Sequence, residues 1–174
     1  MLTHIKKWSY SKKLKEKRSH IKSPLVQPVN PGKKIGILFE LEKLDDHSVV
    51  KTLKQQFAKE GRIVKTLSYI DQKIDVESLA QRTFSKKELK WDGVPKSHYV
   101  EEFMEWEFDL LICPIKVMRP CFQYIIKISP AKLKIGLNTD HAEDLYDLII
   151  DFSDDKDLSD ILAEILYQLK VVSH

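Results

Sequence analysis

Glycine is scarce in this chain: five residues in 174, at positions 32, 36, 61, 93 and 136, with no cluster among them. Loops that cradle phosphates need clustered glycine, because only then can backbone amides approach the anion. The first apolar run, Lys33–Phe39, is followed by Glu40-Leu41-Glu42-Lys43 rather than by G-x-G-x-x-G or a Walker lysine loop. A dinucleotide or nucleoside triphosphate bound in the usual mode is therefore not expected. Cysteine is nearly absent, and Cys113 and Cys121 alone make neither a disulfide framework nor a four-cysteine metal site. Six histidines are scattered with no i, i+4 pair to place two imidazoles on one metal. No apolar run approaches the roughly 20 residues of a membrane span, and no basic-then-apolar leader opens the chain. The expectation is a cytoplasmic protein without a transmembrane segment, and no catalytic, cofactor-binding or metal-ligating residue is assigned.

Charge, by contrast, is plentiful and unevenly placed. Lys and Arg number 29 against 26 Asp and Glu, a formal net charge of +3. Residues 1–34 hold ten of those cations and one acid, Glu16, whereas residues 35–174 hold 19 cations and 25 acids. The small net charge is thus a basic segment and a mildly acidic one that nearly cancel.

Residues 1–22, MLTHIKKWSYSKKLKEKRSHIK, contain no Gly or Pro and are compatible with a helix. Leu2, Ile5 and Trp8 share one side of such a helix, while Tyr10, Leu14 and Ile21 fall on another. Three prolines follow within eight residues, Pro24, Pro28 and Pro31, so 23–32 is expected to be a non-helical linker. Three uses of the arm compete. A charge run of this kind can simply be solvated. It can rest on an anionic membrane surface with Leu2, Ile5 and Trp8 as a small wedge. Or it can hold RNA, with Lys6, Lys7, Lys12, Lys13, Lys15, Lys17, Arg18 and Lys22 on phosphates and Trp8 and Tyr10 stacked on bases. The last use is favoured, with structured RNA, such as that of the ribosome, as the partner.

From residue 33 the pattern is that of an α/β domain. Strands are expected at Lys33–Phe39, Arg62–Ile70, Phe108–Cys113, Lys132–Asn138 and Leu145–Phe152, with a short edge strand at Arg82–Ser85. Helices are expected at Asp45–Lys59, Ser97–Glu105, Cys121–Ile128 and Leu158–Val171, and Asp45 or Asp46 is a suitable N-cap for the first. Residues 86–90 read as one helical turn and 91–95 as a turn. Strands alternating with helices predict a three-layer, Rossmann-like α/β sandwich around a mostly parallel sheet. The basic helix and the proline-rich linker precede it.

The stretches KKIGILFE, FSKKELKWDGVP, EFDLLICP, YIIKISPAKLKIGLN and YDLIIDF resemble an uncharacterised family of small Bacteroidota proteins, a domain of unknown function. The likeness spans nearly the whole chain and implies a bacterial, cytoplasmic protein with a basic N-terminal helix and a Rossmann-like domain. Over about 60 residues, FDLLI followed by YIIKIS and AKLKIG is also similar to the N-terminal half of heptosyltransferase-type glycosyltransferases. That likeness implies the fold and not the chemistry, because this chain lacks the second half.

In α/β folds ligands sit at the carboxyl ends of strands. That rule nominates Glu40, Asp71, Lys116, Arg119 and Asn138 as crevice residues, with Lys116 and Arg119 able to hold an anion. Cys113 could face the same crevice, but no base is nominated for it, so it is expected to be a small buried hydrophobe. Asp140-His141-Ala142-Glu143 is expected to begin a short helix, and Trp91, Pro95 and Trp106 to pack beneath the irregular middle of the domain. Together these features favour a non-enzymatic protein that binds RNA through its arm and offers a surface on its domain to a protein partner. The alternatives are a small-molecule binder or enzyme built on a glycosyltransferase-like half domain, and an adaptor on an anionic membrane.

Overall fold

In the computed structural model, residues 32–43, 45–77, 79 and 81–172 are described. The ten arm residues expected to hold RNA, from Lys6 to Lys22, lie outside them. Chain order runs β1 (Lys34–Glu40), α1 (Asp46–Lys59), β2 (Ile63–Ile70), β3 (Thr83–Ser85) and a single 3-10 turn (Lys86–Glu88). It continues with α2 (His98–Met104), β4 (Leu110–Cys113), α3 (Pro120–Ile128), β5 (Leu133–Leu137), α4 (Ala142–Leu145), β6 (Leu148–Ile150) and α5 (Leu158–Val172). The six strands form one sheet in the order β3-β2-β1-β4-β5-β6, and every pairing is parallel rather than most of them. This is a Rossmann-like α/β fold.

The sheet is covered on both faces because its strands are apolar on both, as parallel sheets require. Ile35, Ile37 and Phe39 of β1 point to one face, where they meet Val50, Leu53 and Phe57 of α1 and Ile161, Leu162 and Ile165 of α5. Leu38 of the same strand points to the other face and joins Val100 and Phe103 of α2, Phe122 and Ile125 of α3 and Leu145 of α4. The alternation along β1 is thus a sorting of side chains between two cores.

Three local features refine the expectations. Asp45 stands at the N-cap of α1 but its side chain caps nothing. Instead, the Asp46 carboxylate accepts the backbone N–H groups of Glu42 (2.8 Å) and Lys43 (2.7 Å), folding the β1–α1 loop back onto the helix start. The helix ends as anticipated at Gly61, whose φ of 75° suits the left-handed turn. Finally, the strand expected over Leu145–Phe152 is only Leu148–Ile150, because the preceding residues wind into α4 behind His141. Tyr146 then lays its ring directly over Gly136 of β5, in the space a Cβ would take. An apolar-alternating sequence yields there to a specific ring-on-glycine fit.

The amino-terminal edge of the sheet is tied down by Asp109. Its Oδ2 accepts the backbone N–H groups of Lys33 (2.9 Å) and Lys34 (3.0 Å), and its Oδ1 takes the Lys132 ammonium at 2.7 Å. Those contacts, Lys132 and the Lys34 amide foremost, overcome burial and hold the carboxyl down at about 2. The described chain therefore enters β1 at the edge opposite the strand carboxyl ends.

Candidate functional site

A sheet of order 3-2-1-4-5-6 reverses direction between β1 and β4, and the carboxyl ends of those two strands form the usual ligand crevice. Beside that position stands an ion-pair clamp. Arg119 stands just before α3, and its Nε and Nη2 donate to Glu40 Oε1 at 3.1 and 2.7 Å. Its Nη1 faces Asp71 Oδ2 at 3.2 Å, so one guanidinium joins the ends of β1 and β2 to the start of α3. Asp71 also accepts the Tyr69 hydroxyl at 2.9 Å and lies 3.6 Å from Lys86. Burial pushes the Asp71 carboxyl up, but the Tyr69 hydroxyl, Arg119 and Lys86 outweigh it and hold the group below the ordinary carboxylate value. Burial likewise works against the Arg119 charge, and Glu40 and Asp71 more than restore it.

Three of the five nominated crevice residues, Glu40, Asp71 and Arg119, thus converge. Two do not join them. Lys116 stands 3.9 Å from Glu42 and lines a separate depression of about 170 Å³ with Glu40, Asp46 and Asp154. Asn138 donates to Asp151 Oδ1 at 2.7 Å beyond β5 and lines neither depression described here. Each of the two cations expected to hold an anion faces a carboxylate, Lys116 that of Glu42 and Arg119 that of Glu40. Around the β1–α1 loop stand Glu40, Glu42 and Asp46, where a dinucleotide fold presents bare amides to pyrophosphate. Like charge there repels phosphate, which agrees with the missing glycines.

On the other side of the clamp a wider groove of about 520 Å³ runs between α3 and the loop after the 3-10 turn. Its wall is a small hairpin. Lys90 N–H donates to the Val94 carbonyl and Gly93 N–H to the Lys90 carbonyl, both at 2.9 Å, while Leu89 and Pro95 pair antiparallel. Gly93 takes a φ of 83°, and a Cβ there would come within 3.1 Å of Pro120. The glycine therefore both makes the turn and seats it against the start of α3. Asp92 turns inward and accepts the Val94 N–H at 3.2 Å. Trp91 is left outside, 56% exposed, contrary to the expectation that it packs inside. Pro95 is buried and Trp106 half-buried, with Lys65 3.6 Å from the Trp106 ring centroid. Lys73, Lys86 and Lys90 complete the groove, and Leu89, Pro120 and Cys121 add its apolar lining.

Trp91, Lys73, Lys86 and Lys90 escaped the strand-end rule because they lie on an irregular connection. The signal available was Lys90-Trp91-Asp92-Gly93 itself: an aromatic at the head of a glycine turn has little backbone around it to bury it. The cysteines are inert by contrast. Cys113 is fully buried under Tyr146, and burial pushes its thiol far up; Cys121 is pushed up to about 12 for the same reason. Among the described residues no group of three His, Cys, Asp or Glu could hold a metal ion, and no helix is long and apolar enough to cross a membrane.

No curated protein and no solved structure matches the chain. The model of a family of unknown function, DUF6913, matches residues 4–172, from within the basic arm to the end of α5. The chain belongs to that family.

Proposed function

We propose that this chain is a non-enzymatic RNA-binding protein whose basic arm grips phosphates and whose α/β domain presents a partner surface. The observation that carries this is the charge partition: eight cations in residues 6–22 against one acid, joined to an acidic domain. Two features of the domain support it. At the crevice where a Rossmann-like fold holds its cofactor, Glu40, Glu42 and Asp46 line the depression and the Arg119 clamp stands beside it. The first residues of the domain, Lys33 and Lys34, are held by Asp109 beside Lys132, so cations also stand where the described chain begins.

The test replaces Lys6, Lys7, Lys12, Lys13, Lys15, Lys17, Arg18 and Lys22 with Gln in the full chain. The parent chain should co-sediment with ribosomes and bind RNA with an affinity that falls about 10³- to 10⁴-fold between 50 and 200 mM salt, as about eight phosphate contacts require. The neutralised chain should lose ribosome co-sedimentation and the steep salt dependence of RNA binding while keeping its circular dichroism. Undiminished co-sedimentation of the neutralised chain would overturn the proposal. Flotation with acidic liposomes separates it from membrane attachment.

A further inference from the structure

The groove beneath Trp91 has the composition of a site for a ligand that is flat at one end and anionic at the other. Four cations and two carboxylates line it, and their pairing matters more than their number. Arg119 is shared between Glu40 and Asp71, and Asp71 also faces Lys86 and accepts the Tyr69 hydroxyl. Asp92 is buried and directed to its own turn. Lys73 and Lys90 have no ion-pair partner among the described residues, and Lys86 has only the 3.6 Å approach to Asp71. The unbalanced charge of the groove is therefore positive and sits on flexible ammonium groups at its rim. Beside them lies the largest aromatic side chain that the domain leaves open to water, held in place by a hairpin seated on Pro120.

We propose that this groove binds one nucleotide unit, its base stacked on Trp91 and its phosphate held by Lys73, Lys86 and Lys90. An indole offers a π-face to any base, and ammonium groups supply phosphate contacts without sequence preference. The site differs in kind from the cofactor position of the fold. It lies across the Arg119 clamp from the acidic β1–α1 loop and needs no glycine-rich turn, only the one glycine that positions the hairpin. Free nucleotides and nucleotides within an RNA strand share this chemistry. Where RNA is the source, the site deepens the RNA-binding proposal by giving the domain its own contact, separate from the arm.

The experiment uses the full chain with its eight arm cations changed to Gln, so that failure of the arm and failure of the groove are read separately. Adenosine monophosphate, adenosine and a hexaadenylate are titrated by isothermal calorimetry, which reads every variant, and in the chains that keep Trp91 its indole resonance is followed by NMR. Adenosine monophosphate should move that resonance in a saturable way, and adenosine should bind at least several-fold more weakly. Trp91→Ala should weaken binding roughly 5- to 150-fold, the range that base–aromatic stacking spans. Lys73→Gln with Lys90→Gln, which leaves the hairpin intact, should weaken it about tenfold and flatten its salt dependence. A hexaadenylate that binds far more tightly than the monophosphate points to RNA as the source; equal affinities point to a free nucleotide. A Trp91 resonance that no probe moves, or binding unchanged in both variants, would overturn the proposal.

Discussion

Asp109→Asn tests the anchoring of the sheet's amino-terminal edge. The substitution keeps the shape of the side chain and removes the charge that holds the Lys33 and Lys34 amides and the Lys132 ammonium. In the folded chain the Asp109 carboxyl sits at about 2, against an ordinary value of 3.8. A shift of that size corresponds to at most about 2.4 kcal/mol. The side chain is 20% exposed, so solvent screening reduces this to about 1–2 kcal/mol. Because the folded value lies below the unfolded one, this stability is present in full above the unfolded value and is lost as pH falls through the folded one. About half should remain at pH 3, and almost none well below pH 2, where the protonated acid and the amide are near-equivalents. Urea denaturation followed by far-ultraviolet circular dichroism at pH 7, 5 and 3 measures the difference between the two chains. At pH 7 it should also appear as a melting temperature lower by about 3–7 °C. Equal stability at pH 7, or a difference undiminished at pH 3, would refute the assignment of Asp109 as the charged anchor.

Two further outcomes follow from packing and from the clamp. Gly136→Ala forces Tyr146 off β5 and should cost about 2–3 kcal/mol. Gly61→Ala, at a φ of 75° but with open space around it, should cost only about 1 kcal/mol; a reversed ranking in thermal melts would show that Tyr146 can move aside freely. Arg119→Met leaves Glu40, whose side chain is 11% exposed, without its cation and should cost about 2–3 kcal/mol. Adding Glu40→Gln should return part of that loss, and strictly additive free energies in the double variant would argue against a coupled pair.

Much of the architecture was legible in the chain because its signals are local. Short β-branched runs such as KKIGILF, punctuated by Gly61 and by Pro114, mark strand and helix boundaries through backbone sterics alone. The exception was the segment from Leu145 to Phe152, whose alternation suits a strand. Tyr146 packs on a glycine ten residues earlier, and no local pattern encodes that contact. The site divides in the same way. Glu40, Asp71 and Arg119 were found because strand ends are predictable, yet their mutual neutralisation was not, since it depends on three elements meeting.

The partition of charge, the missing phosphate loop and the alternation of strands and helices are properties of composition and near-neighbour order. Which charges remain unbalanced depends on how the chain folds. Arg119, a free cation in the sequence, is consumed by Glu40 and Asp71, while Lys73 and Lys90, without an ion-pair partner among the described residues, line a groove with an exposed Trp91. The physical reason is that Coulomb interactions act over a few ångströms of space and take no account of distance along the chain.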